Sequence, residues 1–126
     1  MSAGAASDLL GTAREALLGE LLPALPAEHR YTARMIANAM AIVARELALG
    51  NDAHSREVAC LRGLAADVAS PAEPEAAELP ALRRTVAAAI RAGRFDDAAR
   101  AAAITGTLLD VVADRVAISN PKALRE

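Results

Sequence analysis

The stretch Arg34 to Glu46, RMIANAMAIVARE, is apolar on more than one side of any helix it forms, and that restricts where such a helix can lie. At about 100° per residue, Ala33, Ile36, Met40, Val43 and Leu47 make one stripe, the ordinary core face of an amphipathic helix. Tyr31, Met35, Ile42 and Leu49 make a second. Between the two runs a narrow polar strip of Arg30, Arg34, Asn38 and Arg45, with Glu46 beside it. Asn38 stands mid-helix, where asparagine has no propensity advantage. A helix wetted on so little of its circumference, from about Ala27 to Leu49, is expected at the centre of the fold.

The material available to surround it is small. Of 126 residues, 54% are hydrophobic and only 2% aromatic, so the core must come from Ala, Leu, Val and Ile on closely approaching helices. The formal charge of −2 and the scattered basic residues leave no electrostatic footprint for nucleic acid. No apolar run reaches the roughly 20 residues needed to cross a bilayer, and the start MSAGAA has neither a basic nor an apolar leader region, so a cytoplasmic protein is expected. A single cysteine, Cys60, fits a reducing compartment and reads as a small core residue.

Residues 1–6 read as a flexible tail, after which Ser7 is placed to cap a first helix running to about Leu22. Its stripe is Leu9, Leu10, Ala13, Leu17 and Leu21, and Pro23-Ala-Leu-Pro26 ends it. The second, central helix is expected to stop at Gly50-Asn51, a good left-handed cap. Asp52 then caps a third, about Ala53 to Ala69, carrying Val58, Leu61, Leu64, Ala65 and Val68 at helical spacing, with His54 solvated in its first turn. Residues 70–78, SPAEPEAAE, read as an exposed linker. A fourth helix from Leu79-Pro80 places Leu82, Val86, Ala89 and Ile90 on one face and ends at Gly93. A fifth has Asp96 and Asp97 in its first turn and runs to about Ser119, where Asn120-Pro121 stops it; 122–126 form a flexible end. Its main stripe is Ala98, Ala102, Thr105, Leu108, Leu109, Val112 and Val116, with a second seam of Ile104, Val111 and Ile118 spaced seven apart. Apolar alternation at period two is absent, so the expected fold is all-α: one domain, an antiparallel bundle of about five helices around the second.

Chemistry leaves few marks. No glycine-rich phosphate loop is present, the two histidines, His29 and His54, have no ligand partners at metal-site spacing, and no local signature of nucleophilic catalysis stands out. No cofactor, metal or catalytic residue is therefore expected. The strip Arg34, Asn38, Arg45 and Glu46 admits two readings. In one, the arginines are solvated or paired within the last turn and Asn38 is a satisfied core residue, with Asp110 and Asp114 as possible internal partners. In the other, arginine fork and asparagine amide lock the helix to an acidic or phosphate group of another chain.

RMIANAMAIVARELALG after LLPALP, the segment RAGRFDD and the closing DRVAISNP together resemble a family of short bacterial helical proteins of unknown function. Over most of the chain the likeness holds, with Arg34, Asn38, Arg45, Glu46 and Asn120-Pro121 matching its pattern; Lys122-Ala-Leu departs from an expected aromatic-containing ending. Members are typically encoded beside an aminoglycoside-phosphotransferase-like kinase and an acyl-CoA dehydrogenase. One branch resembles the small subunit of a kinase acting on 4-hydroxyacyl-CoA. The resemblance thus implies a non-catalytic accessory subunit whose partner is such a kinase.

From the residues, the same expectation rests on two surplus stripes without a catalytic constellation. Tyr31, Met35, Ile42 and Leu49 on one helix and Ile104, Val111 and Ile118 on another should cover each other or another chain, with no nucleic-acid or membrane partner. The alternatives are a homodimeric helical protein, or a small-molecule binder in which Met35, Met40 and Ile42 line an acyl-CoA pocket with Arg34 at its mouth.

Overall fold

A computed structural model describes residues 1–69 and 78–125, and among them every regular element is helical. Four helices carry the chain: α1, Ala3–Ala16; α2, Ala27–Val68; α3, Leu79–Arg91; and α4, Ala98–Ser119. The expected linker at 70–78 lies outside the described residues except for Glu78, and so does Glu126 at the chain end.

The expected tail is helical from Ala3, because Ser2 and not Ser7 is the cap: its hydroxyl accepts from the Ala5 N–H at 3.2 Å. After Ala16 the helix widens into a π turn, Leu17–Leu21, then closes with one α turn, Leu22–Ala24. Pro23 accounts for the widening. It has no N–H to offer, and its ring collides with the carbonyl four residues back in an unbroken α-helix. Here the Leu22 N–H reaches the Leu17 carbonyl five residues back.

The main correction concerns Gly50-Asn51. The expected stop does not occur, and the second and third predicted helices are one, so the count falls from five to four. Glycine and asparagine cost at most about 1 kcal/mol each in a helix interior. Packing of the continuing turns outweighs this, since Ala53, Glu57, Leu61 and Leu64 beyond the junction are all buried. Gly93 alone among the described glycines has positive φ, 75°. There the expected cap does form, as a Schellman motif in which the Gly93 N–H bonds the Ile90 carbonyl and the Arg94 N–H the Ala89 carbonyl, both at 3.0 Å.

Two compact units result, Met1–Asn51 with the chain from Val116 onward, and Asp52–Arg115. The second holds the principal core: Leu61, Leu64, Leu79, Leu82, Val86, Ala89, Phe95 and Ile104, with Val58, Ala65, Val68 and Leu108 packed against them. Helix α4 starts on Asp97, whose side chain accepts from the Arg100 N–H at 3.0 Å; it is the N-cap rather than a first-turn residue. The free carbonyls at the end of α2 are met by arginines, Arg94 to Val68 at 3.3 Å and Arg100 to Asp67 at 3.4 Å. A buried carboxylate, Glu57, joins three helices: it accepts from Arg83 of α3 at 2.8 and 3.0 Å and from Arg115 of α4 at 2.9 Å.

In the first unit the buried face of α2 is made of alanine. Ala33 and Ala37 are fully covered, and α1 is tied to this face by two side-chain donors, Ser7 Oγ to the Ala44 carbonyl at 3.0 Å and Arg14 Nε to the Ala37 carbonyl at 3.1 Å. Small side chains at these positions leave α2 carbonyls within reach of a neighbour. The helix expected to organise a large apolar core instead buries methyl groups. Of its longer apolar side chains, Tyr31, Met35, Ile36, Val43 and Leu49 are exposed.

Candidate interaction surface

Buried Ala33 and Ala37, with Ala44 half-buried between their directions, fix the covered side of α2, and Tyr31, Met35 and Ile42 lie about 140–180° from its centre at 100° per residue. Tyr31 is 72% exposed and Met35 50%, Leu49 is exposed, and Ile42 is half-buried. The stripe singled out as surplus is thus surplus in the folded chain. Ile36 and Val43, expected in the core stripe, are also exposed, 51% and 49%, and extend the apolar surface along one flank. Met40 and Leu47 are half-buried. The expected core face is wrong by about 60°, a sixth of a turn, because Ala37 beside Ala33, rather than Ile36 and Val43, takes the covered position.

The polar strip lies beside this surface. Arg34, Asn38 and Glu46 are exposed, so the reading of Asn38 as a satisfied core residue is overturned. Arg45 is half-buried, and its Nε donates to the Ile118 carbonyl near the end of α4 at 2.6 Å; the helix runs on past it, so no last-turn pair with Glu46 exists. Asp114 does find an arginine, but it is Arg56 at 2.8 Å, and Asp110 is exposed. The Arg56 guanidinium holds Asp114 below the usual carboxylate range.

On α4 the two stripes exchange roles. Ile104 and Ile118, expected to cover either the second stripe of α2 or another chain, are buried within this one, and Val111 is half-buried; Leu109 and Val112 of the expected main stripe are exposed, Leu109 at 63%. Both stripes satisfy a helical period, so only the position of the neighbours distinguishes them.

Three further features bear on chemistry. Glu57 is 5% exposed, and the Arg83 hydrogen bonds, aided by Arg115, hold its carboxyl below the ordinary range against the opposing effect of burial. Sequence reading missed it, and missed Phe95 as a core anchor. A Glu–Arg pair on different helices leaves no periodic signal. An open cavity of about 590 Å³ lies in the second unit, with His54, Val58 and Arg62 of α2 and Leu79 and Pro80 of α3 in its wall, and neither Met35 nor Met40 nor Ile42 among them. Among the described residues no group of three or more His, Cys, Asp or Glu is placed to hold a metal ion, and no helix is long and apolar enough to cross a membrane. Cys60 is half-buried with a free thiol.

Residues 23–123 match the family model described as a domain of unknown function, DUF6285. The chain belongs to that family. The matched span opens at Pro23 and so takes in the whole of α2, α3 and α4 but not the first sixteen-residue portion of the chain that ends with α1. No curated protein and no solved structure matches the sequence.

Proposed function

We propose that this member of the DUF6285 family is a non-catalytic interaction subunit that binds another protein through the exposed face of α2 between Tyr31 and Leu49. One observation carries the reading: long apolar side chains stand in water directly opposite a face closed by alanine. Scattered single apolar residues are ordinary on any surface. A run of them along one helix face, of several hundred Å² in the usual case, is the mark of an interaction site. Arg34, Asn38 and Glu46 at its margin supply the polar rim that such interfaces have.

The partner that the family resemblance points to is a phosphotransferase-type kinase acting on hydroxyacyl-CoA in the cytoplasm. In that pairing the kinase holds the phosphate cradle, the metal carboxylates and the base that phosphoryl transfer requires. This chain supplies the docking surface on α2. The test is reconstitution of the pair on 4-hydroxyacyl-CoA and ATP. Kinase turnover should depend on this protein, and Met35→Ala or Ile42→Ala should weaken the complex by about 2 kcal/mol, the scale of an interface hot spot, while Arg30→Ala does little. Full turnover by the kinase alone would sink the subunit reading, and ATP consumption by this protein alone would sink the claim that it is not an enzyme.

A further inference from the structure

We infer that, when no other chain covers it, this face of α2 is closed by a second copy of the protein, the two α2 helices pairing antiparallel about a two-fold axis near Met40. Tyr31, Met35, Asn38, Ile42, Arg45 and Leu49 follow one another at spacings of four, three, four, three and four, the seam of a two-stranded coiled coil. All but Ile42 and Arg45 are exposed, and those two are half-buried. Self-pairing and docking of a partner use the same face and exclude one another, so the pair is a stored form of the docking surface; it shares that reading's face but needs no kinase to form.

Charge decides the direction. In a parallel pair each seam position meets its own copy, and the two Arg45 guanidinium groups would stack where water is excluded, like against like. In the antiparallel pair Tyr31 lies on Leu49, Met35 on the aliphatic stem of Arg45, and Asn38 on Ile42. The two Arg45 are then about 15 Å apart along the axis, and each keeps its bond to its own Ile118 carbonyl. The two Asn38 side chains are about 6 Å apart along the axis, across the two-fold, where one amide can donate to the other. Flanking charges also avoid their like: Arg34 faces the side carrying Ala41 and Ala48 of the other copy, and Glu46 the side carrying Thr32 and Ala39. Six seam positions along about 27 Å of helix make a small contact, of the class of weak, transient interfaces.

Sedimentation across micromolar concentrations should show monomer giving way to dimer. Met35→Glu should weaken the dimer by about tenfold or more with helicity unchanged, since Met35 is exposed in the single chain. Direction is read from disulfides in a Cys60→Ser background. Tyr31→Cys and Leu49→Cys chains should cross-link when mixed and not separately, because the two copies of residue 31 lie about 27 Å apart in the antiparallel pair. A wild-type monomer at every concentration, a dimer indifferent to Met35→Glu, or efficient cross-linking of Tyr31→Cys with itself would each overturn the inference. Loss of kinase docking with the dimer intact counts against the docking reading alone.

Discussion

The Glu57 carboxylate accepts from Arg83 Nε at 2.8 Å and Nη2 at 3.0 Å, a two-pronged bond between α2 and α3, while Arg115 of α4 donates to the same carboxylate at 2.9 Å. A buried charge is retained only where its lone pairs are met, and here two guanidinium groups meet them. Glu57→Ala should destabilise the protein by about 2 kcal/mol, below the largest losses for buried pairs because both arginines keep half their surface in water. Urea denaturation of the two proteins measures it.

The pH dependence has a defined sign. The folded carboxyl lies below the value of about 4.5 for an unpaired glutamate, so folding binds fewer protons at this site than unfolding does. Its contribution is complete above that value and is lost as the pH falls through the lower, folded one. The stability difference between wild type and Glu57→Gln should therefore be constant from neutral pH down to about 5 and shrink below about 4. Thermal melts over that range check it; a difference that grows on acidification would mean the carboxylate is destabilising.

Gly50 and Gly93 should respond oppositely to alanine. Gly50 is helical, and a Cβ there would meet only the flexible end of Glu46, its Oε1 at 2.6 Å, which can swing into water. Gly50→Ala should stabilise by about 0.5–1 kcal/mol. At Gly93 the positive φ excludes a side chain without strain, and a Cβ would lie 2.9 Å from Asp96 Oδ2. Gly93→Ala should cost about 1 kcal/mol or more, in thermal melts of each variant.

These two glycines show what was legible in the sequence. Both looked like helix stops, because composition reports the local cost of glycine and nothing of the packing that overrides it. Helical periodicity located the core of the second unit, Leu61, Leu64, Leu82, Val86 and Ala89. It failed where two faces of one helix were both apolar, since period alone does not say which face has neighbours. On α2 the surplus stripe is the exposed one, with Tyr31 and Met35 in water, whereas on α4 it is the covered one, with Ile104 and Ile118 buried. Alanine decided the first case: Ala33 and Ala37 carry little hydrophobic weight in a sequence pattern, yet small side chains permit the closest approach of helices.

Asn38 and Ala37 are adjacent and should behave as surface and core. Asn38→Leu is expected to change stability by less than about 0.5 kcal/mol, as for an exposed position, and to raise the tendency of the protein to self-associate. Ala37→Leu inserts three carbons into a site only 2% exposed and should cost about 1–3 kcal/mol through overpacking. Equal effects of the two changes on the melting temperature would contradict the placement of α2's covered face.

On α4 the assignment of faces is tested by a second contrast, between Ile104 and Leu109. Ile104 belongs to the cluster with Leu61, Leu64 and Phe95, so Ile104→Ala removes three carbons from a packed core and leaves a cavity. The expected loss is about 2–4 kcal/mol. Leu109 stands in water, and Leu109→Ala exchanges an exposed side chain for a better helix former, for a change within about 0.5 kcal/mol of zero. Denaturant midpoints of the two variants at matched m-values give the comparison directly, because a change in midpoint at constant slope is a change in stability alone. Were Leu109→Ala the more damaging, the seam of Ile104, Val111 and Ile118 would be the outward face of α4 after all, and the surface available to a partner would have to include it.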